Sequence, residues 1–145
     1  MKIVVSACLL GENCKYNGGN NFAANIAEFV KDREVISVCP ERLAGLGIPR
    51  EPIEIVGGIV RRKDGTSVDS ALRKAIEKIL DQLEGEEIEC VILKSRSPTC
   101  GVKQVYDGTF TGTLVDGMGV LAEALRERGY KVIDSEDCIA NSSDL

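Results

Sequence analysis

Short apolar runs, separated by polar and glycine-rich segments, recur along the chain and predict a series of buried strands. The runs KIVVS, EVISV, ECVILK and KVID predict four core strands at residues 2–6, 34–38, 89–94 and 131–134. Two further runs flank Gly57-Gly58, which predicts a tight β-hairpin over residues 53–62. The longer polar segments between the core runs leave room for helical connections.

Apolar residues at helical spacing occupy several of those connecting segments. They predict helices at residues 22–31, at 67–83 and within 115–128, with Ser67 capping the second helix and Gly85 ending it. The order of elements predicts an α/β fold in a single domain. We expect a Rossmann-like or flavodoxin-like parallel sheet with helices on both faces and the hairpin as a small insertion. In such sheets, ligands bind beyond the carboxyl ends of the strands, where the strand order reverses.

Composition and charge narrow the class of protein. The 145 residues predict one domain, 1–145, with a frayed tail at residues 141–145. The net charge of -5 argues against a nucleic-acid or anionic-membrane partner, because both need a basic surface. The chain has no histidine, which removes the commonest general base and zinc ligand. No apolar run is long enough for a signal peptide or a membrane span, so we expect a cytoplasmic protein with reduced thiols.

Six cysteines carry the most specific chemical signal. Cys8, Cys39 and Cys100 each follow a predicted core strand, so they lie at the same edge of a parallel sheet and can converge. Soft thiolates favour iron–sulfur clusters, zinc or copper(I), and three cysteine ligands leave one iron of a [4Fe–4S] cluster open. The spacing lacks a compact C-x-x-C pattern, so three unrelated thiols are the alternative. Cys14 and Cys138 lie near the same edge, either as site residues or as bystanders.

Several separated motifs accompany these cysteines. They are SACLLG (6–11), KYNG (15–18), CPE (39–41), PREP (49–52), Lys94, RSPTCG (96–101), FTG (110–112) and GMGV (117–120). With these motifs, the chain resembles the bacterial thiouracil desulfidase family over nearly its whole length. The resemblance implies that Cys8, Cys39 and Cys100 bind a [4Fe–4S] cluster with one open iron, and that Glu41 and Ser97 are active-site residues. It also implies an enzyme that removes sulfur from a thiocarbonyl small molecule without net redox chemistry.

The motif positions suggest roles for three polar side chains. Glu41, close in sequence to Cys39, is a candidate general base for an attacking water, and Ser97 is a candidate to relay a proton or orient the substrate. Arg50, held between prolines, is a candidate to bind the substrate. Each residue also has a structural alternative. Glu41 is then a solvated carboxylate at a helix start, Ser97 a turn residue before Pro98, and Arg50 part of a basic rim.

Other chemistry stays open at this point. GMGVLA at residues 117–122 matches the dinucleotide pattern G-x-G-x-x-A, although its late position favours close packing of a helix. Three acidic residues lie at the end of the last predicted strand and just after it, Asp134, Glu136 and Asp137. Either a hard cation or a helix start explains them. The alternative functions are a cluster- or zinc-binding redox sensor without turnover, and a cluster-free enzyme with Cys8 or Cys100 as nucleophile. The sequence does not specify a sulfur acceptor or the oligomeric state.

Overall fold

Strands and helices alternate along the chain, as the hydrophobic pattern predicts. The computed structural model describes residues 1–141. In chain order its elements are β1 (Lys2–Ser6), a 3-10 turn (Ala7–Leu10), α1 (Ala24–Val30), β2 (Glu34–Val38), α2 (Pro40–Leu43), β3 (Ile53–Val56), β4 (Ile59–Arg62), α3 (Asp69–Leu83), β5 (Ile88–Leu93), β6 (Gln104–Tyr106), β7 (Leu114–Asp116), α4 (Val120–Glu127), β8 (Val132–Asp134) and α5 (Ser135–Asn141). Beyond Asn141, the tail predicted to be frayed lies outside the described residues. The organisation as one domain stays a prediction.

Four of these strands form a parallel sheet in the order β2-β1-β5-β8. The chain passes from β1 to β2 on one side and then crosses to β5 on the other, so the strand order reverses beside β1. The carboxyl ends of β1, β2 and β5 consequently meet at one edge, where ligands bind in such sheets. The predicted α/β class with a parallel sheet is confirmed.

Helices cover both faces of the sheet, because successive side chains of a strand point to opposite faces. Ile3 and Val5 of β1 pack in one hydrophobic cluster with α1 and α5. Val4 packs on the other face in a larger cluster, together with Leu72 of α3 and Leu121 of α4. The apolar stripe predicted for the second helix is thus the core face of α3. Among residues 1–141, no helix combines the length and apolar character of a membrane span.

The structure departs from the prediction in its short elements. The predicted hairpin is formed by β3 and β4, but a second hairpin of β6 and β7 was not predicted, because three-residue strands show no clear alternation. Since residues 114–116 belong to β7, the following helix begins only at Val120. The short helix α2 places Glu41 in a first helical turn, as the alternative interpretation of Glu41 supposes. The residue at the N-cap of α3 is Val68 and not Ser67 as predicted, and no side chain caps the helix. The Ser67 hydroxyl, one residue earlier, accepts a hydrogen bond from the Asp69 amide at 3.2 Å.

Candidate functional site

The cavity at the carboxyl edge of the sheet has a volume of about 650 Å³ and brings three of the cysteines together. Cys8 lies in the 3-10 turn directly after β1. Cys39 immediately precedes α2, whose first residue, Pro40, suits a helix start. Cys100 lies in the loop after β5. Three separate strand ends therefore place these thiols around one space.

The thiols form a donor set that fits an iron–sulfur cluster. Cys8 and Cys39 are half-buried free thiols, and Cys100 is a free thiol that is 5% exposed. Soft thiolates are the ligands that iron–sulfur clusters take, so these three side chains are the ones that would hold a cluster here.

Burial disfavours ionisation of two of these thiols, Cys8 and Cys100. It raises the pKa of Cys100 to about 12, although hydrogen bonds with Ser6 and Thr99 oppose the shift. Burial also raises the pKa of Cys8, and the nearby Cys39 raises it further by charge repulsion. Because only a thiolate ligates a metal, a cluster that binds here displaces the thiol protons.

A fourth cysteine, Cys14, also lines the cavity. It is 1% exposed, burial raises its pKa to about 12, and its thiol interacts with that of Cys39. Its carbonyl oxygen accepts hydrogen bonds from the Cys39 thiol at 4.0 Å and from Arg50 Nη2 at 2.8 Å. Cys14 therefore belongs to the site. Cys138 does not line the cavity, because it lies with Cys90 in the hydrophobic cluster that packs against α1.

Glu41 and Arg50 form a largely buried ion pair in the cavity wall. Glu41 lies in the first turn of α2, and its side chain is 15% exposed, against 6% for Arg50. Nε and Nη2 of Arg50 lie 3.2 and 3.1 Å from Oε1 of Glu41. Nη1 donates a further hydrogen bond to the carbonyl of Gly47 at 2.9 Å. Most of the Arg50 donors are thus directed at the protein, and the guanidinium fixes the orientation of the Glu41 carboxylate.

Hydroxyl groups connect Glu41 to Ser97. Thr99 Oγ1 lies 3.1 Å from Oε2 of Glu41 and 2.9 Å from Oγ of Ser97. Thr99 Oγ1 also lies 3.7 Å from Sγ of Cys100, so its single hydroxyl proton serves either the Glu41 carboxylate or the Cys100 sulfur. With that proton on either of these acceptors, the Ser97 hydroxyl is free to donate to Thr99. Oγ of Ser97 in turn accepts hydrogen bonds from the amides of Thr99 and Cys100, both at 3.1 Å. The sequence analysis assigns no role to Thr99. The signal that could have indicated one is its position between Ser97 and Cys100 in the same motif.

The first turn of α4 holds the loop that carries these residues. The amide of Val120 donates to the carbonyl of Pro98 at 3.0 Å. The amide of Leu121 donates to the carbonyl of Thr99 at 2.8 Å. A Cβ atom on Gly119 would lie 2.4 Å from the carbonyl carbon of Thr99, so only glycine permits this approach. The GMGVLA pattern therefore serves close packing, and these amides are used by the loop instead of facing a pyrophosphate.

Arg96, which lines the cavity, and Lys103, which lies outside it, each form an ion pair. Arg96 lies 3.0 Å from Glu136, and Lys103 lies 3.0 Å from Asp137. The carboxylate of Asp134 accepts a hydrogen bond from the Glu136 amide at 2.9 Å. Asp134, the last residue of β8, thus accepts a hydrogen bond at the start of α5, while Glu136 and Asp137 in its first turn form ion pairs. These contacts support the helix-start interpretation over a cation site.

A family model described as 2-thiouracil desulfurase matches residues 3–137. The chain belongs to the 2-thiouracil desulfurase family. This member of the 2-thiouracil desulfurase family is 35% identical to the uncharacterized protein YbbK of Bacillus subtilis (strain 168) over 145 residues, which cover 93% of this chain and 96% of YbbK. It is similar to the solved structure of the [4Fe-4S]-dependent thiouracil desulfidase TudS, with 32% identity and a TM-score of 0.88, over 98% of this chain and 95% of that chain. These matches confirm the predicted family.

Proposed function

We propose that this chain is an iron–sulfur-dependent desulfidase that removes sulfur from a thiocarbonyl small molecule of the thiouracil type. Membership of the 2-thiouracil desulfurase family and the similarity to TudS, described as [4Fe-4S]-dependent, support this function over a sensor or a cluster-free thiol enzyme. The observation that carries the proposal is the convergence of three thiols and a carboxylate on one cavity. A sensor needs only the thiols, whereas hydrolysis also needs a base placed near the reacting carbon.

Cys8, Cys39 and Cys100 are the proposed ligands of a [4Fe–4S] cluster. Such clusters normally take four cysteines, so three ligands leave one iron open. When bound, the cluster supplies a Lewis-acidic iron that polarises the thiocarbonyl group. We place Cys14 outside the ligand set, because the motif resemblance assigns the three ligand positions to Cys8, Cys39 and Cys100.

Glu41 is the proposed general base. In the overall reaction, a thiocarbonyl and water give a carbonyl and hydrogen sulfide: a carbon–oxygen bond forms, the carbon–sulfur bond breaks, and no electrons are exchanged with another molecule. Glu41 accepts a proton from the attacking water while Arg50 holds its carboxylate in position. The hydroxyls of Thr99 and Ser97 form a hydrogen-bonded chain to Glu41. The proton leaves along this chain when both hydroxyls reverse, so that Glu41 donates to Thr99 and Thr99 donates to Ser97. Direct binding of substrate by Arg50 is proposed as a second role, since Arg50 lines the cavity.

The fate of the sulfur and the location of the protein belong to the same proposal. The sulfide either diffuses from the cavity or passes to an acceptor molecule. We propose that the protein works in the cytoplasm, where the reducing environment keeps cysteines such as those in residues 1–141 as free thiols.

Reconstitution with iron and sulfide in the absence of oxygen tests this function. The expected product is a brown protein with about four irons per chain that releases sulfide from 2-thiouracil and forms uracil. The Cys8→Ala/Cys39→Ala/Cys100→Ala variant is expected to lose both properties. The Cys90→Ala/Cys138→Ala control, whose thiols lie outside the cavity, is expected to keep them. Iron that survives in the triple variant would contradict the ligand assignment, and an iron-loaded protein that releases no sulfide would contradict the activity.

A further inference from the structure

Two residues other than glycine adopt a left-handed backbone conformation within residues 1–141, and both line the cavity. They are Arg96, with a φ of 63°, and Phe110, with a φ of 58°. This conformation is uncommon for a large side chain and persists only where the surroundings impose it. Phe110 lies in the loop between β6 and β7, which has no part in the chemistry proposed above.

A buried carboxylate imposes the conformation of this loop. Glu54 of β3 is 7% exposed, and its Oε1 accepts hydrogen bonds from the amides of Gly108 at 2.9 Å and Phe110 at 3.2 Å. Gly108 lies so close to β3 that a Cβ atom there would be 2.7 Å from the carbonyl oxygen of Ile55. The hairpin β3–β4 therefore holds the loop at two consecutive contacts and directs Phe110 to the cavity.

Side-chain hydrogen bonds make the loop rigid from within. The carboxylate of Asp107 accepts bonds from the amide and the hydroxyl of Thr109 at 2.9 and 2.6 Å. The hydroxyl of Thr109 lies 2.6 Å from that of Thr111, which lies 3.0 Å from that of Thr113. The loop thus has its shape before any ligand binds, and a preformed wall binds a ligand without a further cost in chain ordering.

The few aromatic residues of the chain are concentrated at this cavity. The chain has only three Phe and three Tyr, yet Tyr16, Tyr106 and Phe110 all line it. Aromatic faces bind flat, conjugated rings by stacking, which is tolerant of the substituents on the ring. Small thiocarbonyl compounds without a ring offer no comparable surface.

We propose that Phe110, positioned by Glu54, determines specificity by stacking on a planar heteroaromatic thiocarbonyl ring. This inference rests on the proposed function, because it assigns a substrate-binding residue to that same cavity. The role of Phe110 is to bind the ring and align its thiocarbonyl carbon with Glu41, whereas Glu54 acts through the loop. Phe110 takes no part in proton transfer or in holding iron.

Two readouts on the reconstituted protein test the inference. The first is the ratio of kcat/KM for 2-thiouracil to that for thiourea, which has a thiocarbonyl group but no ring. The second is the equilibrium binding of uracil, which has the ring but no sulfur and is measured by calorimetry without turnover. Phe110→Leu is expected to lower the kcat/KM ratio and the affinity for uracil by about 5- to 100-fold each, with unchanged iron content. Phe110→Tyr, which keeps an aromatic ring, is expected to keep both near the wild-type values. Phe29→Leu is the matched control, since Phe29 is also half-buried but packs against the cluster beside α1.

The outcomes separate this inference from the proposed function. A Phe110→Leu protein with the wild-type ratio and wild-type affinity for uracil overturns the inference, as does a wild-type protein that does not bind uracil. Equal losses in Phe110→Leu and Phe29→Leu also overturn it, because they indicate a general effect on the fold. If the wild type binds uracil through Phe110 but releases no sulfide from any thiocarbonyl, the desulfidase proposal fails and the ring-binding role stands.

Discussion

Replacing Thr99 with valine removes one hydroxyl from the site and preserves the shape of the side chain. Thr99 is 1% exposed, so water does not replace the hydrogen bonds that are lost. A bond to a charged group such as Glu41 contributes about 1.5–3 kcal/mol, and one to a neutral hydroxyl such as Ser97 contributes about 0.5–1.5 kcal/mol. Arg50 still pairs with Glu41, which offsets part of the loss. We therefore expect the free energy of unfolding to fall by about 1–3 kcal/mol.

The effect of Thr99→Val on turnover is expected to exceed its effect on stability. Without the hydroxyl, a proton on Glu41 has no bonded path to Ser97. Positioned acid–base groups contribute about 10²- to 10⁴-fold to a rate, and Glu41 itself is retained, so we expect kcat for 2-thiouracil to fall about 100-fold. The KM and the iron content are expected to stay near the wild-type values. Steady-state sulfide release, iron determination and urea unfolding measure these quantities.

Thr66→Val is the matched control for this substitution. Thr66 is exposed, and its hydroxyl bonds to the carboxylate of Asp64 outside the cavity. The Thr66→Val variant therefore loses the same kind of contact, and its kcat is expected to equal that of the wild type. A Thr99→Val protein with full iron and wild-type kcat would refute the relay. A parallel loss of iron and activity would also refute it, because the hydroxyl would then only support the cysteine loop.

Three further changes test other parts of the structure. Gly119→Ala is expected to lower the free energy of unfolding in urea by about 1–3 kcal/mol, more than Gly117→Ala, whose Cβ meets only a side chain at 3.2 Å. Cys14→Ala is expected to keep the full iron content, and a loss of iron would place Cys14 among the ligands. A hydrogen bond from Arg42 lowers the pKa of Glu12 in the folded protein below its ordinary value of 4.5. The pair therefore stabilises the fold fully above pH 4.5, and this stabilisation is lost as the pH falls through the lowered pKa of the folded protein. Acid unfolding of Glu12→Gln is expected to lack this loss.

The core of the fold is predictable because its pattern is local. The boundaries of β1 and β2 agree with the apolar runs, since strands covered on both faces read as continuous hydrophobic segments. The β6–β7 hairpin is not predictable in this way, because its strands are held by contacts with β3. Glu54 illustrates the difference: a carboxylate within a short hairpin strand suggests a solvent-facing residue, yet the loop over residues 107–112 buries it.

The candidate site likewise contains residues that the sequence predicts and one that it does not. The positions of Cys8, Cys39 and Cys100 follow from the general rule that parallel strands end at one edge of a sheet. The contribution of Thr99 does not follow from any local pattern, because a threonine between Pro and Cys is an ordinary turn residue. Its hydroxyl reaches Glu41 only because α4 docks on the loop and fixes its backbone. Side-chain direction inside a loop is thus determined by distant elements, which a local pattern cannot report.

The docking of α4 on the cysteine loop also makes opening of the site visible in the backbone. The amides of Leu121 and Ala122 both donate to the carbonyl of Thr99, at 2.8 and 3.3 Å, so they exchange with solvent only when loop and helix separate. Their hydrogen-exchange rates measure the free energy of this local opening separately from global unfolding. A ligand held through Cys100 binds only the closed loop, so it slows exchange at these two amides before it affects the distant face of the sheet.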